Sequence, residues 1–148
     1  MNDLVNFIWQ YGGGAIAILV CGLSLTYGGA AERFAAAVIV SAWIFMLLVQ
    51  SHSMSGPGIW VELSDVVVLV LFTGLSLRVR KLWTVFLAAL QLDAVVGHFT
   101  AKLAHYELYP YVVAVGLWGG YGLLIVLMIA VVNYRRALKR QTFATVAH

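Results

Sequence analysis

Charge is the scarcest ingredient of this sequence. Asp, Glu, Lys and Arg make up 10% of its 148 residues, against about 25% in a soluble globular domain. So few charges cannot clothe a water-soluble shell. With hydrophobic residues at 63% and a mean hydropathy of +0.95, the solvent for most of the surface must be lipid. Cysteine is nearly absent: Cys21 stands alone, which excludes an intramolecular disulfide and any Cys-based zinc or iron–sulfur cage and leaves a small buried hydrophobe. Proline occurs twice, once in a turn-forming stretch (Pro57) and once where it suits the start of a helix (Pro110). No HExxH, CxxC, CxxCH, GxSxG or phosphate-cradling GKS motif is present, so no catalytic constellation or nucleotide site stands out. The few basic residues flank apolar runs without a nucleic-acid-binding motif around them, and nucleic acid is not an expected partner.

What the chain does have is length of apolar run. A spanning helix needs about 20 apolar residues, and short polar breaks divide the sequence into five runs near that length, at about 7–27, 34–50, 59–77, 82–104 and 111–132. Backbone groups in lipid must be satisfied internally, so only helices and closed barrels span a bilayer. A barrel would show alternating segments of about ten residues, which are not seen. The expected fold is all-α, a single transmembrane domain of residues 1–148 built as a five-helix bundle. No Lys or Arg precedes Arg33, so the first run reads as a retained helix and not a signal peptide. Gly12-Gly13-Gly14 reads as flexible backbone at its outer end.

Orientation follows from the basic residues, which accumulate in cytoplasmic loops. Arg33 lies between runs one and two, Arg78, Arg80 and Lys81 between runs three and four, and Arg135, Arg136, Lys139 and Arg140 after run five. Five crossings place all eight on one side and leave Lys102 opposite, whereas four or six would split them. The N-terminus is therefore expected outside and the C-terminus in the cytoplasm.

Ionisable residues inside a span are costly and mark candidate sites. Run three carries Glu62, Asp65, Thr73 and Ser76 on one stripe. Run four carries Gln91, His98 and His105 at seven-residue spacing with Lys102 beside them, and a second set, Asp93, Thr100 and Glu107, rotated by roughly 140°. A helix polar on two faces is expected at the centre of the bundle. At 1.5 Å per residue, Asp65 and Asp93 lie roughly 17–18 Å from the inner boundary, and His52, Glu62 and His98 roughly 22–27 Å. These depths predict that Asp93 faces Asp65 or another polar group of the bundle, and not lipid. They also leave His52, Glu62 and His98 as candidate metal ligands, or the histidines as ligands of a b-type haem, although no cofactor is expected. Small residues at Gly97 and Ala101 in run four, and at Gly116 and Gly120 in run five, predict close helix packing.

Glu32-Arg33-Phe34-Ala35-Ala36-Ala37, Leu75-Ser76-Leu77-Arg78, and Lys81-Leu82-Trp83 followed by Gln91 and His98 resemble uncharacterised small polytopic inner-membrane proteins of alphaproteobacteria. The resemblance covers Arg33 to about Ala130 and implies a bacterial inner membrane. It carries no established activity, so no site residue is assigned from it. The expected function is a non-enzymatic accessory or assembly subunit of a larger membrane complex, with other membrane subunits or a second copy as partner. The alternatives are ion or proton handling by the intramembrane carboxylates and histidine, or a histidine-ligated metal or haem.

A reporter fused after His148 tests the topology. A cytoplasm-dependent fluorophore there should be bright, and a C-terminal alkaline phosphatase fusion should be inactive. Full periplasmic phosphatase activity would overturn the five-span count.

Overall fold

The computed structural model describes residues 2–52, 59–104 and 119–146, with side chains described for 12–49, 59–100 and 119–142. Among the described residues there are five α-helices and no strand: α1 (Asn2–Tyr27), α2 (Ala30–His52), α3 (Ile59–Val79), α4 (Leu82–Ala104) and α5 (Leu123–Val146). A π-helical turn at 119–122 leads into α5. Four helical stretches, Ala30–Val49, Ile59–Val79, Leu82–Thr100 and Gly119–Thr142, are long and apolar enough to cross a membrane, and Gly12–Tyr27 adds a shorter apolar stretch. Large apolar side chains such as Ile18, Leu77 and Leu82 project outward, each more than 70% exposed, as suits a lipid-facing surface.

The helices exceed their apolar runs because the polar residues at the ends keep helical geometry. Gly12, Gly13 and Gly14 lie inside α1, so they do not form the flexible terminus expected. The α1–α2 and α3–α4 connections shrink to two residues each, Gly28-Gly29 and Arg80-Lys81. In the first, Gly29 accepts from the Arg33 amide (2.9 Å) as the N-cap of α2, which puts Glu32 at the third helical position, where a carboxylate meets the helix's positive end. A Cβ on Gly29 would sit 2.8 Å from Glu32 Oε2 and 2.9 Å from the Tyr134 ring, so only glycine lets both approach. In the second, Arg80 takes a φ of 54° and donates to Ser76 O at 3.0 Å, a left-handed helix end made with a non-glycine residue.

Each helix packs against the next, and α5 returns to α1, closing a ring. Contact between α2 and α5 crosses it, and α3 with α4 makes the most extensive pairing. Among the described residues, α2 and α5 each touch three other helices. The expectation of a central α4 is corrected: its principal neighbours are α3 and α5, and it hides one face while leaving the other open. Between α1 and α2 the interior is lined by small residues, Ala17, Cys21, Ser24, Ala35 and Ala36, all at most 5% exposed, which let two backbones come close. Phe72, Leu87 and Leu127 fill the wider middle.

The glycine of close approach on the α5 segment is Gly119. A Cβ there would lie 2.8 Å from Ala94 Cβ of α4, whereas one on Gly120 meets nothing within 4 Å among the described residues. The expected contact at Gly120 is thus displaced by one residue, about 100° of rotation. Gly116 lies outside the described residues, as does the side chain of Ala101. Because Ala94 Cβ is fixed to its backbone, Gly119→Ala should destabilise by about 1–3 kcal/mol, while Gly120→Ala should be neutral or stabilising, since alanine is up to about 1 kcal/mol better than glycine within a helix. Thermal unfolding of the full chain in mild detergent measures both, and the reverse order would refute the packing.

Candidate polar site between two helices

The inward face of α3 carries Val61, Val68, Phe72 and Leu75, and Asp65 falls between Val61 and Val68 on it. The facing side of α4 carries Leu87, Gln91, Ala94 and His98, all buried. The seven-residue spacing of Gln91 and His98 sets them one above the other, so a single carboxylate can reach both. Gln91 Nε2 donates to Asp65 Oδ1 at 3.0 Å and lies 3.2 Å from the Asp65 carbonyl. His98 Nε2 lies 2.8 Å from Asp65 Oδ2. Both carboxylate oxygens are therefore engaged, one by an amide and one by an imidazole. Gln91 is 3% and His98 7% exposed, while Asp65 retains 24%. The carboxylate is the wettable end of the cluster.

This arrangement fixes the α3–α4 register and holds a carboxylate against an imidazole inside a helical pair. Glu62 lies one turn from Asp65 on α3 and is half-buried, with a polar interaction of its own. The side chains of Lys102 and His52 lie outside the described residues. Among the described residues, no three His, Cys, Asp or Glu side chains gather as a metal set. Gly97 is half-buried. Thr73 lies on the exposed side of α3, so the expected polar stripe divides, with Asp65 turned inward and Thr73 outward.

The predicted meeting of Asp65 and Asp93 does not form. Asp93 is exposed, and among the described residues no hydrogen bond or ion pair reaches it. Equal depth does not bring two residues together when the helix rotation turns one of them away. Two residues separate Asp93 from Gln91, about 200° around α4.

A second polar centre, missed in the sequence, sits at the basic end. Glu32 is 2% exposed, and its Oε1 lies 3.7 Å from Lys81 Nζ, half of whose side chain is exposed. This pair ties the α1–α2 turn to the α3–α4 turn. Nearby, Arg135 of α5 stacks over the Tyr27 ring at 4.8 Å from its centroid. Both turns and the basic part of α5 therefore meet at one end, which gathers the eight cations from Arg33 to Arg140. The readable signal was an acid three residues after a glycine N-cap.

Asp65→Leu leaves two buried polar side chains without their acceptor, at about 1–3 kcal/mol each. Interhelical hydrogen bonds in membranes average about 0.6 kcal/mol and reach about 1.7. A double-mutant cycle of Asp65→Leu with His98→Leu should give coupling near the upper figure, read from denaturant unfolding in detergent. A cycle of Asp65→Leu with Asp93→Leu should give none. Coupling near zero in the first cycle would deny the cluster any energetic role.

No protein-family model, curated protein or solved structure matches this chain.

Proposed function

We propose that the chain is a non-enzymatic, multi-pass accessory or assembly subunit of a larger membrane complex. It resides in the bacterial inner membrane with its C-terminus in the cytoplasm, and it docks on its partner through the outward face of α4. The observation that carries this reading is the position of Asp93. It is the central residue of the 23-residue helix Leu82–Ala104, and its side chain is exposed. A carboxylate at the middle of a span costs about 2.5–3.5 kcal/mol on the insertion scale. Thr100, on the same face, avoids that cost by donating to the Val96 and Gly97 carbonyls at 2.9 and 3.1 Å, but a carboxylate has no donor to offer its own helix. Around Asp93 the exposed positions Leu82, Ala89 and Val96 recur every seven residues, and Val85, Leu92 and Phe99 each follow three residues later. That is the seam by which one helix packs along another. A partner helix bearing a donor at mid-depth, such as Lys, Arg, Asn, Gln or a hydroxyl, would cover the seam and satisfy the carboxylate.

A second reading, proton handling at the Asp65–His98 pair, is favoured by one observation. The carboxylate keeps a quarter of its surface accessible while paired with an imidazole, and carboxylate–histidine chains carry protons in membrane pumps.

Asp93→Leu discriminates. It should leave the unfolding of the isolated chain unchanged or raise it, and it should reduce the chain in native membranes from a large complex to its own 16.2 kDa plus detergent. Asp93→Asn, which still bonds, should retain much of the complex. An unchanged complex in Asp93→Leu would sink the docking reading, and a complex of integral multiples of this chain alone would identify the partner as a second copy.

A further inference from the structure

Where α1 and α5 meet at the basic end, they enclose a groove of about 350 Å³. Its floor is apolar, made by Leu23 of α1 with Met128, Val131 and Val132 of α5, and its mouth is framed by Arg135, Arg136 and Lys139 with Tyr27. Among the described residues, no acidic side chain lines it. The three cations fall within two turns of one helix: Arg135 and Lys139 lie one turn apart on one side, and Arg136 about 100° round from Arg135. The ring of Tyr27 under Arg135 pins the first of them. The α5 helix continues to Val146, so the cations are held on ordered backbone. The Glu32–Lys81 pair shows the contrasting case: there a cation of the same end is answered by a buried carboxylate, whereas among the described residues no carboxylate answers those of this groove.

From this charge pattern we infer that the α1–α5 groove binds an anionic glycerophospholipid, its phosphate among Arg135, Arg136 and Lys139 and one acyl chain along Leu23, Val131 and Val132. The inference goes beyond the docking of α4 and shares no residue with it. The change from apolar to basic occurs between Val132 and Arg135, the order in which a lipid presents its acyl chains and then its phosphate. Basic pockets between helices on the cytoplasmic side have the chemistry for such head groups. Arginine adds the planar fork that engages two phosphate oxygens at once.

The test uses the full chain in neutral detergent, titrated with phosphatidylglycerol and, separately, phosphatidylcholine, with bound lipid counted by native mass spectrometry. One phosphatidylglycerol should be retained in preference to phosphatidylcholine. Arg136→Gln with Lys139→Gln should weaken it about tenfold or more. Arg78→Gln with Arg80→Gln, which removes the same charge at the same end but outside the groove, should change it by less than about twofold. Val132→Trp, which fills the floor without altering charge, should also weaken retention. Equal weakening by the two charge pairs would overturn the site in favour of general attraction. Displacement of the lipid by glycerol 3-phosphate at matching concentration would also overturn it, because the apolar floor would then contribute nothing.

Discussion

Lipid offers no hydrogen bonds, so each polar group carried into the bilayer must be answered by the chain that brings it or by a neighbour. The α3–α4 pair is organised by that demand. Asp65, Gln91 and His98 satisfy one another across the interface, and the register that allows this also brings Leu87 and Phe72 into the interior. Hydroxyls solve the problem locally: Ser24 donates to Val20 O at 2.7 Å and Thr26 to Gly22 O at 2.9 Å, each within its own helix. Carboxylates cannot, so Asp65 is matched between helices and Glu32 across two turns. Asp93 is the carboxylate of α4 that no described residue answers, and this is why its outward face carries the functional reading.

Much of the architecture was legible in the sequence because apolar run length and polar breaks are coarse, robust signals. The helix ends were harder to read. Ser51 and His52 remain helical although they follow the end of the second apolar run. Arg135 to Arg140 continue α5 because Arg, Lys, Ala and Leu are good helix formers in water. Among the described residues, the glycine pair and the Arg80-Lys81 turn with its left-handed Arg80 are what interrupt the helices.

Inside the spans, a seven-residue period identified Gln91 and His98 as a shared face, but depth alone does not fix rotation. The proposed partner of Asp65 was therefore the wrong residue of α4. A Cβ on Gly120 would meet no described residue within 4 Å, one position away from the glycine that touches Ala94. The α1–α5 groove had no sequence signal, since its walls lie more than a hundred residues apart and neither wall is periodic in charge.

The reach of α5 has one more consequence. Past Val132, where its unbroken run of apolar residues ends, the helix continues for 14 residues to Val146, or about 21 Å at 1.5 Å per residue. Its base is wedged between Tyr27 and the interior of the bundle. The chain thus carries a stiff mast of roughly half a bilayer's thickness, and a tilt of α5 within the membrane would sweep its tip sideways through a distance set by that length. Whatever meets Arg140 and Gln141 would sense the bundle's interior arrangement as a lateral displacement, with no flexible linker to absorb it.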